Sequence, residues 1–486
     1  MADGQSNRGG QRRGQRGGNS RGGNQRRDQR GGRTRERELL DAPRKAALEV
    51  LKAVRQDGAY ANLVLPKRLR AKKIKGRDAA FATEITYGTL RAQGVLDEIL
   101  SRASTRPLRD IEPEILDILR LGAYQLLKTR VGAHAAVDTS VIAVQAAGKP
   151  GAKGFVNAIL RKVAQHDFDH WVMELVPNPA ADPIGYLATK YAHPKWIVEA
   201  FAQSLGSQAA ELEAALAAAD ERPIVHLVAR PGEISAEELA LITGGEEGPY
   251  SPYAVHLDGG DPGALEPVRD GMAAVQDEGS QLIARAATQV PVDGEDSGRW
   301  LDLCAGPGGK AAFMGAIAGI DGATVDAVEV SPHRAELISK TVRNLPVTVH
   351  VADGREPGLE PGYDRVLVDA PCSGLGALRR RPEARWRKQP TDIPELVALQ
   401  KELLASAAKL VRPGGIVVYS TCSPLLRETV SVVADAVKNH GLVELDAQQF
   451  VTPMADVGPG TSVQMWPHRH GTDAMFFAVL QRPNDK

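Results

Sequence analysis

The hydrophobic periodicity of this 486-residue chain changes once along its length, and that change limits the folds it can adopt. Between residues 39 and 165 apolar residues recur at helical spacing, as at Ile115, Ile118 and Leu119, without strand signals. From residue 272 onward short apolar runs alternate with helical stretches, which is typical of a doubly wound sheet. The pattern predicts a multidomain protein, with an all-α helical bundle at 39–165 and an α/β Rossmann-like domain at 272–486.

The segment between these two domains, residues 166–271, has a mixed pattern. It contains a helical stretch at 209–219, a strand-like run at 224–228 and a loop-rich stretch at 244–263. A chain of this length exceeds one hydrophobic core, so two or three domains are expected. We predict a small α/β linker subdomain here, without chemistry of its own.

The first 38 residues form a basic tail rich in arginine and glycine. They hold 11 arginines against four acidic residues, and no apolar residue lies between Ala2 and Leu39. Such a segment cannot bury enough surface to fold, so we predict a disordered tail. Its arginines can pair with RNA phosphates and stack on bases, although a solubilising extension is the alternative.

Composition excludes several classes of protein. No run reaches the ~18 apolar residues of a membrane helix, and the N-terminus lacks the apolar stretch of a secretory signal. The three cysteines show no CxxC spacing, which argues against disulfides and structural zinc. We expect a cytoplasmic protein with no metal site and no membrane association, and a monomer is the default expectation.

Two cysteines stand directly after apolar runs that read as buried strands. Cys372 follows Val366–Val368 and a short polar turn, and Cys422 follows Ile416–Tyr419. The carboxyl ends of parallel strands share one edge of a sheet, where ligands bind. A thiol is a strong nucleophile near neutral pH. Free cysteine is also a common packing residue, but two of them at this edge beside polar residues indicate covalent catalysis.

A glycine-rich loop follows the first strand of the α/β region. The strand Trp300–Leu303 runs into Cys304–Lys310, whose glycines let the backbone approach a ligand closely. Glu329 ends the second strand about 20 residues further on, where an acidic side chain can bind both ribose hydroxyls. Dinucleotide-binding folds accept the same spacing. Because Asp353 and Asp369 end the next strands, the pattern favours a nucleoside ligand such as S-adenosylmethionine.

Several stretches together resemble known families. Leu301–Lys310, Asp369–Gly374 and Tyr419–Ser423 resemble motifs I, IV and VI of the Nop/Sun family of RNA cytosine-C5 methyltransferases, and residues 276–282 and 467–473 match further family stretches. Parts of the bundle, residues 78–91 and 154–161, resemble the NusB family of RNA-binding domains.

The combination is similar to the RsmB/Sun branch of that family. This resemblance implies a class I methyltransferase domain with a seven-stranded sheet, preceded by a NusB-like bundle that contacts RNA. It also implies S-adenosylmethionine as cofactor and a cytosine of small-subunit (16S) ribosomal RNA as substrate, with transfer RNA left open.

The resemblance implies roles for the catalytic residues. Cys422 would attack C6 of the cytosine, which makes C5 nucleophilic, and Cys372 would assist breakdown of the covalent adduct. Asp369 would bridge the cofactor and the base, and it is the candidate for contact with N3. A free thiol has a pKa of about 8.5, so the site should lower the pKa of Cys422. Lys310 and Arg469 are the candidate cations for this effect.

The resemblance also implies the cofactor-binding residues. Glu329 would hold the ribose, Asp353 the adenine, and Asp369 would lie between cofactor and base. Arg334 is expected to pair across the cofactor helix. The loop that would enclose the methionine part consists of Cys304, Ala305, Gly306, Pro307, Gly308, Gly309 and Lys310.

Two basic clusters are candidates for contact with RNA phosphates. The first follows motif IV, and we expect it to form a phosphate clamp at the active edge: Arg379, Arg380, Arg381, Arg385, Trp386, Arg387 and Lys388. The second lies in the bundle, where a solvated face is the alternative: Arg44, Lys45, Lys67, Arg68, Arg70, Lys72, Lys73, Lys75 and Arg77.

Three functional hypotheses stay open at this point. The first is an RNA cytosine-C5 methyltransferase that uses Cys422. The second is a DNA-type methyltransferase that attacks through Cys372. The third is a non-catalytic RNA-binding or antitermination factor built on the NusB-like bundle.

Overall fold

The computed structural model describes residues 40–484, so the predicted tail at 1–38 lies outside the described residues. The described part opens with eight α-helices: α1 Ala42–Gln56, α2 Ala61–Ala71, α3 Gly76–Arg91, α4 Gln93–Ala103, α5 Pro113–Lys128, α6 Ala133–Ala146, α7 Lys153–Val163 and α8 Phe168–Leu175. Helix α1 starts where the Asp41 carboxylate accepts a hydrogen bond from the backbone N–H of Arg44 at 3.0 Å.

Helix α5 lies at the centre of the bundle. It packs against α1, α3, α4, α6 and α7, and its residues Ile115, Ile118 and Leu119 are buried. Trp171 of α8 lies in the same core and donates its indole N–H to the Val163 carbonyl at 3.0 Å. Helix α8 therefore packs on the bundle just beyond residue 165, because its Trp171 lies in the same core.

Three further helices pack on the C-terminal domain: α9 Pro183–Lys190, α10 Lys195–Leu205 and α11 Leu212–Asp220. Phe201 of α10 meets Trp466 of that domain in an edge-to-face contact, with ring centroids 5.5 Å apart. These three helices cover an apolar surface of the C-terminal domain.

A small antiparallel sheet comes next, in the strand order β2-β3-β1-β4. Its elements are β1 Val225–Ala229, α12 Ala236–Thr243, β2 Glu246–Glu247, β3 Ala254–Leu257, α13 Glu266–Arg269 and β4 Ala273–Val275. Strand β4 lies beyond the predicted boundary between residues 271 and 272, and its Val275 pairs with Leu227 of β1. Within the predicted linker at 166–271, α8 packs on the bundle and α9–α11 pack on the C-terminal domain, and the domain bounds stay a prediction.

The C-terminal domain contains the predicted doubly wound sheet. Seven strands follow the order β10-β12-β9-β8-β5-β6-β7, and a two-residue strand, β11, pairs beside β12. The remaining elements are α14 Glu278–Gln289, β5 Arg299–Asp302, α15 Gly309–Asp321, β6 Thr324–Glu329, α16 Pro332–Thr341, β7 Val347–Val351, β8 Tyr363–Asp369, α17 Ala384–Arg387, α18 Ile393–Leu410, β9 Val411–Thr421, α19 Val430–His440, β10 Val443–Leu445, β11 Val463–Gln464, α20 Pro467–His470 and β12 Phe476–Gln481.

The parallel part of this sheet sets the position of the site. Strands β8 and β9 are almost wholly buried and pair in parallel, with Asp369 opposite Ser420. The loops after β5, β6, β8 and β9 consequently emerge side by side at one edge. Among the helices of residues 40–484, none has both the length and the apolar character needed to cross a membrane.

Candidate active site

The two cysteines predicted to share an edge lie next to each other. Cys372 is in the loop after β8 and Cys422 directly follows β9, and their Sγ atoms are 3.4 Å apart. Both side chains are partly buried. This distance allows one thiol to donate a hydrogen bond to the sulfur of the other.

The surroundings of the two thiols push their pKa values apart. The hydrogen bond with Cys372 lowers the pKa of Cys422, and the positive charges of Arg381 and Lys310 act in the same direction against burial and the charge of Asp369. The same hydrogen bond, together with burial, raises the pKa of Cys372 well above its usual value. The arrangement favours a thiolate at Cys422 and a protonated Cys372.

Lys310 and Asp369 form an ion pair beside the thiols. Lys310 Nζ is 2.7 Å from Asp369 Oδ2, and Ser420 Oγ donates to Asp369 Oδ1 at 2.9 Å. Burial disfavours the ammonium, yet the charge of Asp369 keeps the pKa of Lys310 above its ordinary value. Arg469, the other predicted cation, is not part of this group, because it binds Glu211 at 2.7 Å.

The glycine-rich loop passes directly over Glu329. A Cβ atom at Gly306 would lie 2.0 Å from Glu329 Oε2, so a larger residue here would require this carboxylate to move. Arg334 Nη2 donates to the Gly306 carbonyl at 2.6 Å and lies 3.3 Å from Glu329 Oε2. These contacts join Arg334 to the loop and to the end of β6, and its expected pairing across the cofactor helix stays a prediction. Asp353, at the end of β7, is half exposed and binds Arg355 at 2.7 Å.

Sequence reasoning missed Asp302, at the end of β5. Burial, followed by the negative charge of Asp369, raises its pKa to about 7. Its Oδ2 atom and the Oε1 atom of Gln276 are buried acceptors to which the described residues supply no donor. The signal was present in the sequence, because Asp302 ends its strand as Glu329 and Asp369 end theirs.

Cys304, in contrast, is not arranged for chemistry. Burial and the neighbouring carboxylate of Asp302 raise its pKa well above the usual value, so it stays a neutral thiol. It packs against the core on one side of the sheet.

The predicted phosphate clamp after motif IV is wrong for most of its members. Arg379 is buried and donates to Asp473 at 2.7 Å, and Arg380 binds Asp277 at 2.8 Å as well as Asp473. Arg385 is fully buried and binds Asp220 at 3.0 Å. These guanidinium groups are engaged by carboxylates within the protein, of which Asp277 and Asp473 are buried, and are not available to phosphates.

The end of the same segment joins the two large domains. The Trp386 indole N–H donates to the Leu90 carbonyl at 2.8 Å, and its ring lies so close to Gly94 that a Cβ there would be 2.3 Å away. Arg387 donates at 2.6 Å to the carbonyls of Val54 and Ala59, near the end of α1. Within this cluster Arg381 is the member whose charge acts on Cys422.

Helix α2 presents its basic residues differently. Tyr60, Leu63, Lys67 and Arg70 are exposed along one face, which we call the α2 stripe. Among residues 40–484 no carboxylate lies within 4.0 Å of Lys67 or Arg70. The Arg381 guanidinium lies over the Tyr60 ring at 5.2 Å, so the stripe begins beside the active edge.

Other basic residues of the bundle divide into two groups. Arg44 and Lys72 are engaged, with Asp41 at 2.7 Å and Glu49 at 2.9 Å respectively. The remainder are exposed: Lys45, Arg68, Lys73, Lys75 and Arg77.

Two features define a Rossmann-like methyltransferase domain. Antiparallel β12 is inserted between β9 and β10, and a glycine-rich loop follows β5, the first parallel strand. The family model of 16S rRNA methyltransferase RsmB/F matches residues 289–481, and the model of the NusB family matches residues 41–165. The chain belongs to the RsmB/F family of rRNA methyltransferases, which confirms the resemblance and the predicted fold class.

Individual relatives agree with this assignment. Rv1407 of Mycobacterium tuberculosis, a protein named for methyltransferase activity, is 58% identical over 447 residues, covering 92% of this chain and 98% of the relative. Ribosomal RNA small subunit methyltransferase B of Klebsiella pneumoniae is 32% identical over 448 residues, covering 90% and 97%. The crystal structure of PH0851 has the same fold, with a TM-score of 0.76, 23% identity, and coverage of 91% of this chain and all of PH0851.

Proposed function

We propose that this protein transfers a methyl group from S-adenosylmethionine to C5 of a cytosine in RNA through a covalent bond between Cys422 and C6. The observation that carries the proposal is the pair of thiols 3.4 Å apart, with the pKa of Cys422 lowered and that of Cys372 raised. A nucleophile beside a proton-holding partner is the arrangement that covalent catalysis needs.

The steps assign a task to each thiol. The Cys422 thiolate adds to C6, and the electrons of the C5–C6 double bond move into the ring, so that C5 becomes nucleophilic. C5 then bonds to the methyl carbon, and the bond from that carbon to the sulfonium sulfur breaks. Solvent water takes the C5 proton, the electrons of that C–H bond re-form the C5–C6 double bond, and Cys422 leaves C6 as a thiolate. Cys372 assists this last step by donating a hydrogen bond to the departing sulfur of Cys422.

The loop residues fit the nucleoside cofactor that the family implies. S-adenosylmethionine supplies an electrophilic methyl group and carries an ammonium group. The buried acceptors Asp302 Oδ2 and Gln276 Oε1 have no donor among the described residues and suit such a cation. Glu329, beside Gly306, would bind the ribose and Asp353 the adenine, while Asp369 would lie between cofactor and base. The NSun6 structure from Pyrococcus horikoshii contains SFG, an analogue of this cofactor.

The proposed substrate is small-subunit ribosomal RNA, as the names of the relatives suggest. The α2 stripe supports an RNA partner, because its cations lack carboxylate partners among the described residues and its first residue, Tyr60, lies against Arg381. Transfer RNA would be a separate outcome of the test below. Cytoplasmic localisation and a monomeric state stay predictions.

Replacement of the two cysteines tests the proposal. We expect Cys422→Ala to abolish methylation of RNA and adduct formation. Cys372→Ala should accumulate a slowly migrating protein–RNA adduct on a denaturing gel, because product release is impaired. Methylation that survives Cys422→Ala but not Cys372→Ala would contradict the proposal and favour the DNA-type assignment.

The cofactor and substrate can be tested separately. Saturable binding of S-adenosylmethionine to the full chain is expected, and its absence would favour a non-catalytic RNA-binding factor. Bisulfite sequencing of total RNA from a deletion strain should show loss of one 5-methylcytosine in small-subunit rRNA. Loss of a transfer RNA site instead would correct the substrate.

A further inference from the structure

One buried carboxylate, that of Glu428, contacts both cysteine-bearing loops. The Glu428 side chain is 0% exposed. Its Oε1 accepts from the backbone N–H of Ser373 at 2.8 Å and from Gln400 Nε2 at 3.1 Å. Its Oε2 accepts from the hydroxyls of Ser373 at 2.5 Å and Ser423 at 2.6 Å. The carboxylate therefore receives four donors.

The donors stand next to the thiols in the chain. Ser373 directly follows Cys372, and Ser423 directly follows Cys422. The two serine hydroxyls are themselves 3.1 Å apart. Hydrogen bonds to an ionised group are short and strong, and a fully satisfied buried network holds its members rigidly. The separation of the two sulfurs thus depends on this network.

We propose that Glu428 is a positioning residue that ties the loop after β8 to the loop after β9 and so sets the distance between the two thiols. This inference rests on the proposed function for the role of Cys422. Glu428 touches neither sulfur, and it acts through the residue that follows each of them.

Charge supports the same assignment. The negative charge on Glu428 adds to the hydrogen bond and burial that raise the pKa of Cys372. The groups that act on Cys422 are Cys372, Asp369, Arg381 and Lys310. Glu428 therefore acts in the same direction as the hydrogen bond and burial that favour a protonated Cys372.

The test is alkylation of the thiols in the full chain with iodoacetamide, followed by peptide mass spectrometry across a range of pH. The wild-type label should fall mainly on Cys422. In Glu428→Gln we expect the ratio of label on Cys422 to label on Cys372 to fall about tenfold, because the loops separate and the charge is lost. The midpoint of Cys422 alkylation should also move to higher pH.

A matched control removes another buried carboxylate, that of Asp364 in strand β8. Asp364 is 0% exposed and accepts from Ser297 at 2.7 Å and from Arg412. Asp364→Asn should lower stability without changing the label ratio or the midpoint. An unchanged ratio and midpoint in Glu428→Gln would overturn the proposal, even if methylation were lost.

A second variant covers the case in which Glu428→Gln does not fold. Ser423→Ala removes one donor and keeps the carboxylate, so we expect a smaller shift of the ratio in the same direction. A wild-type ratio in that variant would then overturn the proposal. Alkylation needs neither RNA nor a methyl donor, so this result is separate from failure of the proposed function.

Discussion

Two stretches of the chain, residues 379–388 and helix α2, are both rich in basic residues but use them in opposite ways. In the first stretch most cations are satisfied inside the protein, as Arg385 is by Asp220. In α2 the cations of the stripe face solvent without a carboxylate within 4.0 Å among the described residues. The comparison teaches that the acceptors around a cation, and not the number of cations, decide whether it can bind RNA.

The difference arises from where each stretch lies. Residues 379–388 follow the loop of Cys372 and run between the C-terminal domain, helices α9–α11 and the bundle. Acceptors in all three need donors there: the Asp277 carboxylate and the backbone carbonyls of Ala219 and Val54. Helix α2 has one apolar side, with Ala61 and Leu65 buried, and its opposite side remains in solvent.

We expect the largest effect from Arg385→Ala, which tests whether the cations of residues 379–388 serve the fold and not RNA binding. The guanidinium is fully buried and donates to Asp220 and to the carbonyls of Ala192 and Ala219. Its removal leaves these acceptors unsatisfied, so we expect a loss of about 3–5 kcal/mol in the free energy of unfolding. Urea denaturation followed by tryptophan fluorescence measures this loss. An unchanged stability with weakened RNA binding would mean that the segment is a phosphate clamp after all.

A double substitution in the stripe, Lys67→Ala with Arg70→Ala, should have the opposite result. We expect RNA affinity to fall about tenfold and the salt dependence of binding to decrease by about one unit per lost phosphate contact. Stability should change by less than about 0.5 kcal/mol, because both side chains are exposed. Electrophoretic mobility shifts at several salt concentrations measure the effect.

The control for the stripe carries the same loss of charge elsewhere on the surface. Lys340→Ala with Lys438→Ala removes two exposed cations from α16 and α19. Equal weakening of RNA binding by this pair would show that only net charge matters.

We expect the smallest effect from a change at Arg381. This residue belongs to the first stretch, but its charge acts on Cys422. Arg381→Ala removes a positive charge that lowers the pKa of Cys422, so that pKa should rise. The thiolate fraction at neutral pH then falls, and alkylation of Cys422 should slow a few-fold, with its pH profile displaced to higher pH. Arg427→Ala, an exposed arginine five residues after Cys422, should leave the profile in place.

The sequence predicted those parts of the fold and site that depend on local pattern. Apolar periodicity identified the bundle and the large sheet, and strand ends identified the positions of Cys372, Cys422 and Glu329. The contacts of Arg385 with Asp220 and of Glu428 with Ser373 join residues far apart in the chain. Local pattern carries no information on such partners, so it assigns the arginines to RNA and gives Glu428 no positioning role.

The close approach of Trp386 to Gly94 limits how the bundle and the C-terminal domain can change independently of each other. A methyl group at residue 94 would lie 2.3 Å from the indole ring, so the residue at this point of the bundle depends on a side chain of the C-terminal domain. A chimera whose incoming bundle has a larger residue at this point would have to move the Trp386 ring, which donates to the Leu90 carbonyl at 2.8 Å. Exchange of the bundle between relatives is therefore constrained by the size of one residue, Gly94.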